Sequence, residues 1–178
     1  MLPPLVLRAE ALAAERGFGK SCSREIGRLL HVLAGSRGRE RVAELGTGCA
    51  VGAAWIVSAL QPQTPFLTAE LDLELASAAA GLFREDPNVR VIAGDWRETL
   101  APEAPFDLLF FDAAKQEPGS AELALGLLAP GGIALLDDLT PGRAGADPMR
   151  EFWLRDERVA AVELLAAPAE AAILAVRR

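Results

Sequence analysis

The sequence predicts an α/β fold: a doubly wound, mostly parallel sheet that ends in an antiparallel hairpin. Three observations carry this. Short apolar runs recur between stretches of helical length from residue 41 onward. Most of these runs lie far enough apart for a crossover helix, which makes successive strands parallel and their connections right-handed. Only the last two runs are too close for a crossover, so they pair as a hairpin.

Each element follows from its residues. Residues 21–33 read as a helix, because Ile26, Leu29, Leu30 and Leu33 share one face. Residues 41–45 form a first strand, ended by Gly46. Residues 50–60 are small, apolar and of helical length, and Pro62 stops them. Residues 65–70 make a second strand, and 71–83 a helix with Asp72 at its N-cap. Strands follow at 89–93 and 106–111. A helix over 120–128 is closed by Pro130-Gly131-Gly132, and 133–136 is the fifth strand. Residues 147–155 form a last helix, before apolar runs at 159–165 and 171–176 joined by 166–170. One domain spans 1–178, with an N-terminal helical segment over 1–36 and the α/β core over 40–178.

Composition narrows the function. The chain has 178 residues, 51% hydrophobic and 24% charged, which suits a packed core. Its net charge of −7 leaves no basic stripe for nucleic acid or an anionic membrane. Cys22 and Cys49 lack metal spacing and predict a reducing, cytoplasmic setting. Glu10 and Glu15 interrupt any signal-peptide pattern, and no run is long and apolar enough to span a membrane. The lone histidine, His31, falls on the first predicted helix in a non-ligand role. Among the 18 basic residues only Lys20 and Lys115 are lysine. Lys20 reads as surface; a lysine kept at position 115 beside carboxylates invites a chemical role.

Ligands of an open parallel sheet bind at the carboxyl ends of its strands. The first strand leads into Glu44-Leu45-Gly46-Thr47-Gly48-Cys49-Ala50-Val51-Gly52, where glycines allow close backbone approach. Cys49 reads as a small residue that fits this loop. Glu70 ends the second strand, 24 residues after Gly46, where a carboxylate accepts both hydroxyls of a ribose. A dinucleotide fingerprint would place its third glycine one position earlier than Gly52. Glu44 would repel a pyrophosphate and suits a cationic ligand, such as a sulfonium with its amino acid. After the third strand, Asp95 can accept an adenine amino hydrogen and also cap a helix, while Trp96 can stack on the ring. Asp112 with Lys115 ends the fourth strand, and Asp137-Asp138 the fifth. Three converging carboxylates suit Mg²⁺ or another divalent cation; the alternatives are a solvated turn at Asp137-Asp138 and an ion pair of Lys115 with Asp112 or Glu117. A lysine beside such a cation has a lowered pKa and can take a proton. Trp153 reads as core.

These motifs, over residues 20–178, resemble the class I S-adenosylmethionine-dependent methyltransferases. Among them the chain is similar to the metal-dependent O-methyltransferases of the catechol and caffeoyl-CoA type. The resemblance rests on 43–48, Thr68-Ala69-Glu70-Leu71-Asp72, Gly94-Asp95-Trp96, 106–115 and Leu136-Asp137-Asp138. It implies a Rossmann-like, seven-stranded sheet. It implies S-adenosylmethionine held by Glu44, Gly46, Thr47, Gly48, Glu70, Leu71, Gly94, Asp95, Trp96 and Asp112. Metal would sit on Asp112, Asp137 and Asp138, with Lys115 and Asp112 catalytic toward a small-molecule hydroxyl. Asp138 stands where the family has Asn, and Ala50 where it often has Gly. The N-terminal part is shorter than is usual there, which leaves an open acceptor pocket or one completed by a homodimer partner. Two other readings stand beside this one: a metal-independent methyltransferase and a non-catalytic cofactor-binding protein. A nicotinamide oxidoreductase fits poorly, since the glycine spacing is wrong and the chain has no Tyr.

Overall fold

The structure is a computed structural model that describes residues 1–178. Helix α1 (Pro4–Glu15) starts with proline, whose missing N–H costs nothing in a first turn, and buries Val6, Ala9 and Ala13. Helix α2 (Arg24–Ala34) begins where the Ser23 hydroxyl accepts from the Ile26 N–H, and it buries Ile26 and Leu30. The predicted start at residue 21 thus moves to the residue that can cap. His31 donates from Nδ1–H to the Trp55 carbonyl at 3.1 Å and packs edge-on against the Trp55 ring, a structural role.

Seven strands form one sheet in the order β3-β2-β1-β4-β5-β7-β6. They are β1 (Val42–Leu45), β2 (Phe66–Glu70), β3 (Val89–Ala93), β4 (Phe106–Phe111), β5 (Leu128–Leu139), β6 (Val159–Ala167) and β7 (Glu170–Arg177). The first five run parallel, and β7 is antiparallel to both β5 and β6. The hairpin is tighter than predicted, with only Pro168 and Ala169 outside its strands.

Strand alternation gives the sheet two apolar faces. Val42, Phe66, Leu108 and Phe110 pack with α1, α2, α3 (Val51–Val57) and α4 (Leu73–Leu82). Ala43, Leu45, Leu67, Leu109 and Phe111 pack on the other face, against α5 (Trp96–Thr99), α6 (Ser120–Leu127) and α7 (Pro148–Arg155). Trp153 is fully buried there, as expected for core. No helix is long and apolar enough to cross a membrane.

The main departure is β5. The sequence places it over 133–136, closed off by Pro130-Gly131-Gly132; the strand instead starts at Leu128. Phe106 pairs with Leu128 and Leu108 with Ile133, so the Pro-Gly-Gly segment is a bulge inside the strand, not a stop before it. Gly131, at φ +78°, supplies the needed left-handed residue. A second irregularity lies between Leu136 and Leu139, where Asp138 sits at φ +59°. Asp137 and Asp138 therefore belong to a strand end and not to a solvated turn.

The chain moves outward from β1 through β2 to β3, then returns to β4 on β1's other side and continues to β5. The connections after β1 and β4 thus diverge and open a crevice at their carboxyl ends.

Candidate functional site

Glycine is required where the loops after β1 and β4 touch. Gly46 has φ +95°, and a Cβ on it would lie 2.4 Å from the Ala113 Cβ. Gly52 in α3 lets that helix cross Glu44: a Cβ there would lie 2.5 Å from Glu44 Oε1 and 2.7 Å from the Phe110 ring. Ala50 holds a left-handed φ of +64° as the residue before α3, a conformation that is costly for a residue with a Cβ.

These contacts shape a cavity of about 380 Å³, within the usual range for small ligands. Three carboxylates line it: Glu44, Glu70 and Asp112. Glu70 is held by backbone donors, with Gly48 N–H to Oε2 at 2.7 Å and Asp72 N–H to Oε1 at 3.0 Å. A carboxylate has about four acceptor positions, so two remain free. Glu44 is buried and accepts from the Thr68 hydroxyl at 2.7 Å. Thr68 has one hydroxyl hydrogen, so Thr47 is the donor in its 2.6 Å contact with Thr68. Burial pushes the Glu44 carboxyl well above its usual range, against the lowering effect of Thr68.

A second lobe of about 200 Å³ shares Gly46, Glu70, Ala113 and Ala114 with the first. Leu71, Gly94, Asp95 and Trp96 line it. Asp95 caps α5 by accepting from the Arg97 N–H at 2.9 Å, and its carboxylate is also gripped by the Arg97 guanidinium. The Trp96 ring is buried and packs edge-on against Phe111, 5.5 Å between centroids, so it forms the floor beneath the lobe.

Asp112, Asp137 and Asp138 bring carboxylate oxygens within 4.8 Å of one another. Lys115 Nζ sits among them, 3.2 Å from Asp112 Oδ1, 2.7 Å from Asp137 Oδ1 and 3.3 Å from Asp138 Oδ2. It also donates to the Asp137 carbonyl at 3.0 Å. Burial pushes the Asp112 and Asp137 carboxyls up. Burial alone would lower Lys115; the three carboxylates outweigh it and hold the ammonium charged. This is opposite to the lowered pKa expected beside a cation, since here the lysine itself neutralises the cluster. Asp137 Oδ2 is buried without a partner. One ammonium does not balance three carboxylates, and hard oxygen donors with an unused buried oxygen fit a divalent cation.

One wall escaped the sequence reading. Phe18, Lys20, Ser21 and Cys22, from the connection between α1 and α2, line the first cavity opposite the glycine loop. A Cβ on Gly48 would lie 2.8 Å from the Phe18 ring. Lys20 is exposed, as read, but faces this cavity. Its rarity in an arginine-biased chain was the available signal. Cys49 is buried in the loop and fills space there. Glu117, offered as a partner for Lys115, pairs with Arg97 instead.

Known proteins resemble this chain in sequence and in fold. The family described as protein-L-isoaspartate(D-aspartate) O-methyltransferase matches residues 20–137. A Mycolicibacterium vanbaalenii protein named as an O-methyltransferase is 31% identical over 166 residues, covering 89% of this chain and 71% of that protein. The crystal structure of the O-methyltransferase TomG from Streptomyces achromogenes, in complex with SAM, superposes with a TM-score of 0.80 at 24% identity, covering 99% of this chain and 91% of TomG. An O-methyltransferase from Bacillus cereus in complex with SAH gives 0.81 at 23% identity, covering 100% of this chain and 92% of that one.

Proposed function

The chain belongs to the class I S-adenosylmethionine-dependent O-methyltransferases, and from that premise we propose that it methylates a small-molecule hydroxyl with a divalent cation held by Asp112, Asp137 and Asp138. One observation carries the finer reading: the three-carboxylate cluster around Lys115 with an unused buried oxygen. A carboxyl acceptor is already ionised at neutral pH and needs no base. A hydroxyl is not, and here a lysine stands beside hard oxygen donors that can orient it.

S-Adenosylmethionine supplies a methyl group on a positively charged sulfur. Glu70, fixed by two backbone donors, offers its free lone pairs to the ribose hydroxyls. Glu44 faces the charged methionine part, and Gly46, Thr47 and Gly48 let the backbone approach it. Leu71, Gly94 and Asp95 surround the base, above Trp96. Asp112 lines the first cavity and belongs to the cluster, so it links the two half-sites. A divalent cation, when bound, supplies the positive charge that lowers an acceptor hydroxyl's pKa. With a cation offsetting these carboxylates, burial would favour the neutral amine of Lys115, its excess proton passing to solvent. Neutral Lys115 Nζ would accept the hydroxyl proton as the acceptor oxygen attacks the methyl carbon in line; the sulfur–methyl bond breaks and S-adenosylhomocysteine leaves, with positioning supplying much of the rate. The two free cysteines suit a reducing compartment, so we assign the reaction to the cytoplasm.

The test is methyl transfer from S-adenosylmethionine to a vicinal diol such as catechol. Activity should vanish in EDTA and return with Mg²⁺. Turnover of an isoaspartyl peptide that ignores EDTA would replace this reading with a carboxyl acceptor.

A further inference from the structure

The second lobe is crossed by a bridge that the mechanism above does not use. Asp95 lies between β3 and α5, Glu117 between β4 and α6, and both line this lobe. Arg97 spans them. Its Nε donates to Asp95 Oδ1 at 2.9 Å and to Oδ2 at 3.0 Å, its Nη2 donates to Oδ2, and its Nη1 donates to Glu117. All three guanidinium nitrogens are therefore engaged, on two separate connections of the chain.

Charge makes the bridge matter. Arg97 is the only basic residue lining the lobe, against Glu70, Asp95 and Glu117. The guanidinium holds the Asp95 carboxyl below its usual range, so Asp95 presents acceptors only. Arg97 already donates to both Asp95 oxygens, so a base amino hydrogen reaches this acceptor by sharing an oxygen with Arg97, and a base carbonyl at that position is repelled. The Glu117 end is the more exposed one. Its side chain is 52% exposed, and left-handed residues flank the segment at Ala114, φ +57°, and Gly119, φ +82°.

We propose that Arg97 is a positioning residue for the cofactor's nucleoside. It fixes Asp95 as the base acceptor and, through Glu117, straps the β4–α6 connection across the lobe. The strap must open for the nucleoside to leave. This rests on the lobe being the nucleoside site.

The test uses S-adenosylhomocysteine and 5′-methylthioadenosine, which lacks the amino acid and so reports on the nucleoside alone. Release is followed in stopped flow, and affinity by calorimetry. Glu117→Gln should speed release of both probes about threefold, the scale of one exposed ion pair. Added salt should speed release from the wild-type protein and not from Glu117→Gln, because it screens the same contact. Arg97→Met should weaken 5′-methylthioadenosine about tenfold, since charge-assisted hydrogen bonds to Asp95 are lost with it. Arg97→Lys should recover only part of this, lacking the fork. Wild-type release rates in both Glu117→Gln and Arg97→Met would overturn the strap. Glu117→Gln keeps the test decisive if Arg97→Met does not fold. A wild-type protein that binds neither probe would instead overturn the nucleoside reading of the lobe, and the strap with it.

Discussion

Lys115 carries the sharpest residue-scale prediction. It is the base in the proposed reaction, so Lys115→Met should cut kcat at least about 100-fold while S-adenosylhomocysteine still binds. Calorimetry beside a rate assay separates the two effects. Glu44 tests electrostatics without turnover. Burial raises its folded-state pKa above the ordinary 4.5, so the unfolded chain gives up this proton first as pH rises. The protonated group's contribution is complete below that ordinary value and is lost as pH climbs through the raised one. Glu44→Gln should therefore raise the ligand-free melting temperature at pH 8, with the gain shrinking toward pH 4.5. An equal gain at both values would remove the buried-charge explanation. Glu44 and Glu70 were legible as residues in the sequence because they end β1 and β2. Their partners were not: Thr68 and the Gly48 N–H meet them only after β1 and β2 pair.

Elements fix where those residues point. Gly52→Ala would push a methyl group into Glu44 and Phe110, neither of which has room to yield inside a packed α3–sheet contact. Overpacking of this kind costs about 1–3 kcal/mol, and here it should also weaken cofactor binding, measured by denaturant unfolding and calorimetry. Asp72→Ala is the contrasting case. Asp72 accepts from the Glu74 and Leu75 N–H groups at 2.8 and 3.1 Å, so its loss should cost about 1 kcal/mol through the α4 cap. Most elements were legible locally, because caps and hydrophobic spacing act within a few residues. The extended β5 was not. Pro130-Gly131-Gly132 has the chemistry of a stop, and it becomes a bulge only because β4 offers Phe106 as a partner for Leu128.

At the scale of the whole molecule, the site is a seam between connections from distant parts of the chain. Binding should therefore tighten the entire fold. S-Adenosylhomocysteine at about 100 times its Kd should stabilise the protein by about 2.7 kcal/mol and raise the melting temperature by about 5–10 °C. No shift at saturation would mean that the cavities do not hold this ligand. The N-terminal helices take part in the seam. Val6, Ala9 and Ala13 of α1 and Ile26 and Leu30 of α2 share one core with α3, which brings Phe18 and Lys20 over the glycine loop. The segment between α1 and α2 thus supplies a wall of the first cavity.

The sequence by itself determined the alternation of strands and helices, the C-terminal hairpin and the identities of the strand-end residues. Those depend on periodicity, caps and turn chemistry, which are properties of neighbours in the chain. Tertiary structure alone decided three things: that Lys115 occupies the centre of the carboxylate cluster, that the Trp96 ring is buried against Phe111, and that Arg97 joins Asp95 to Glu117. Lys115 reaches Asp137 across 22 residues and Arg97 reaches Glu117 across 20, and Trp96 is buried by packing on Phe111 of β4. Distance and burial in three dimensions set the energy of a charge, and neither is written in local sequence.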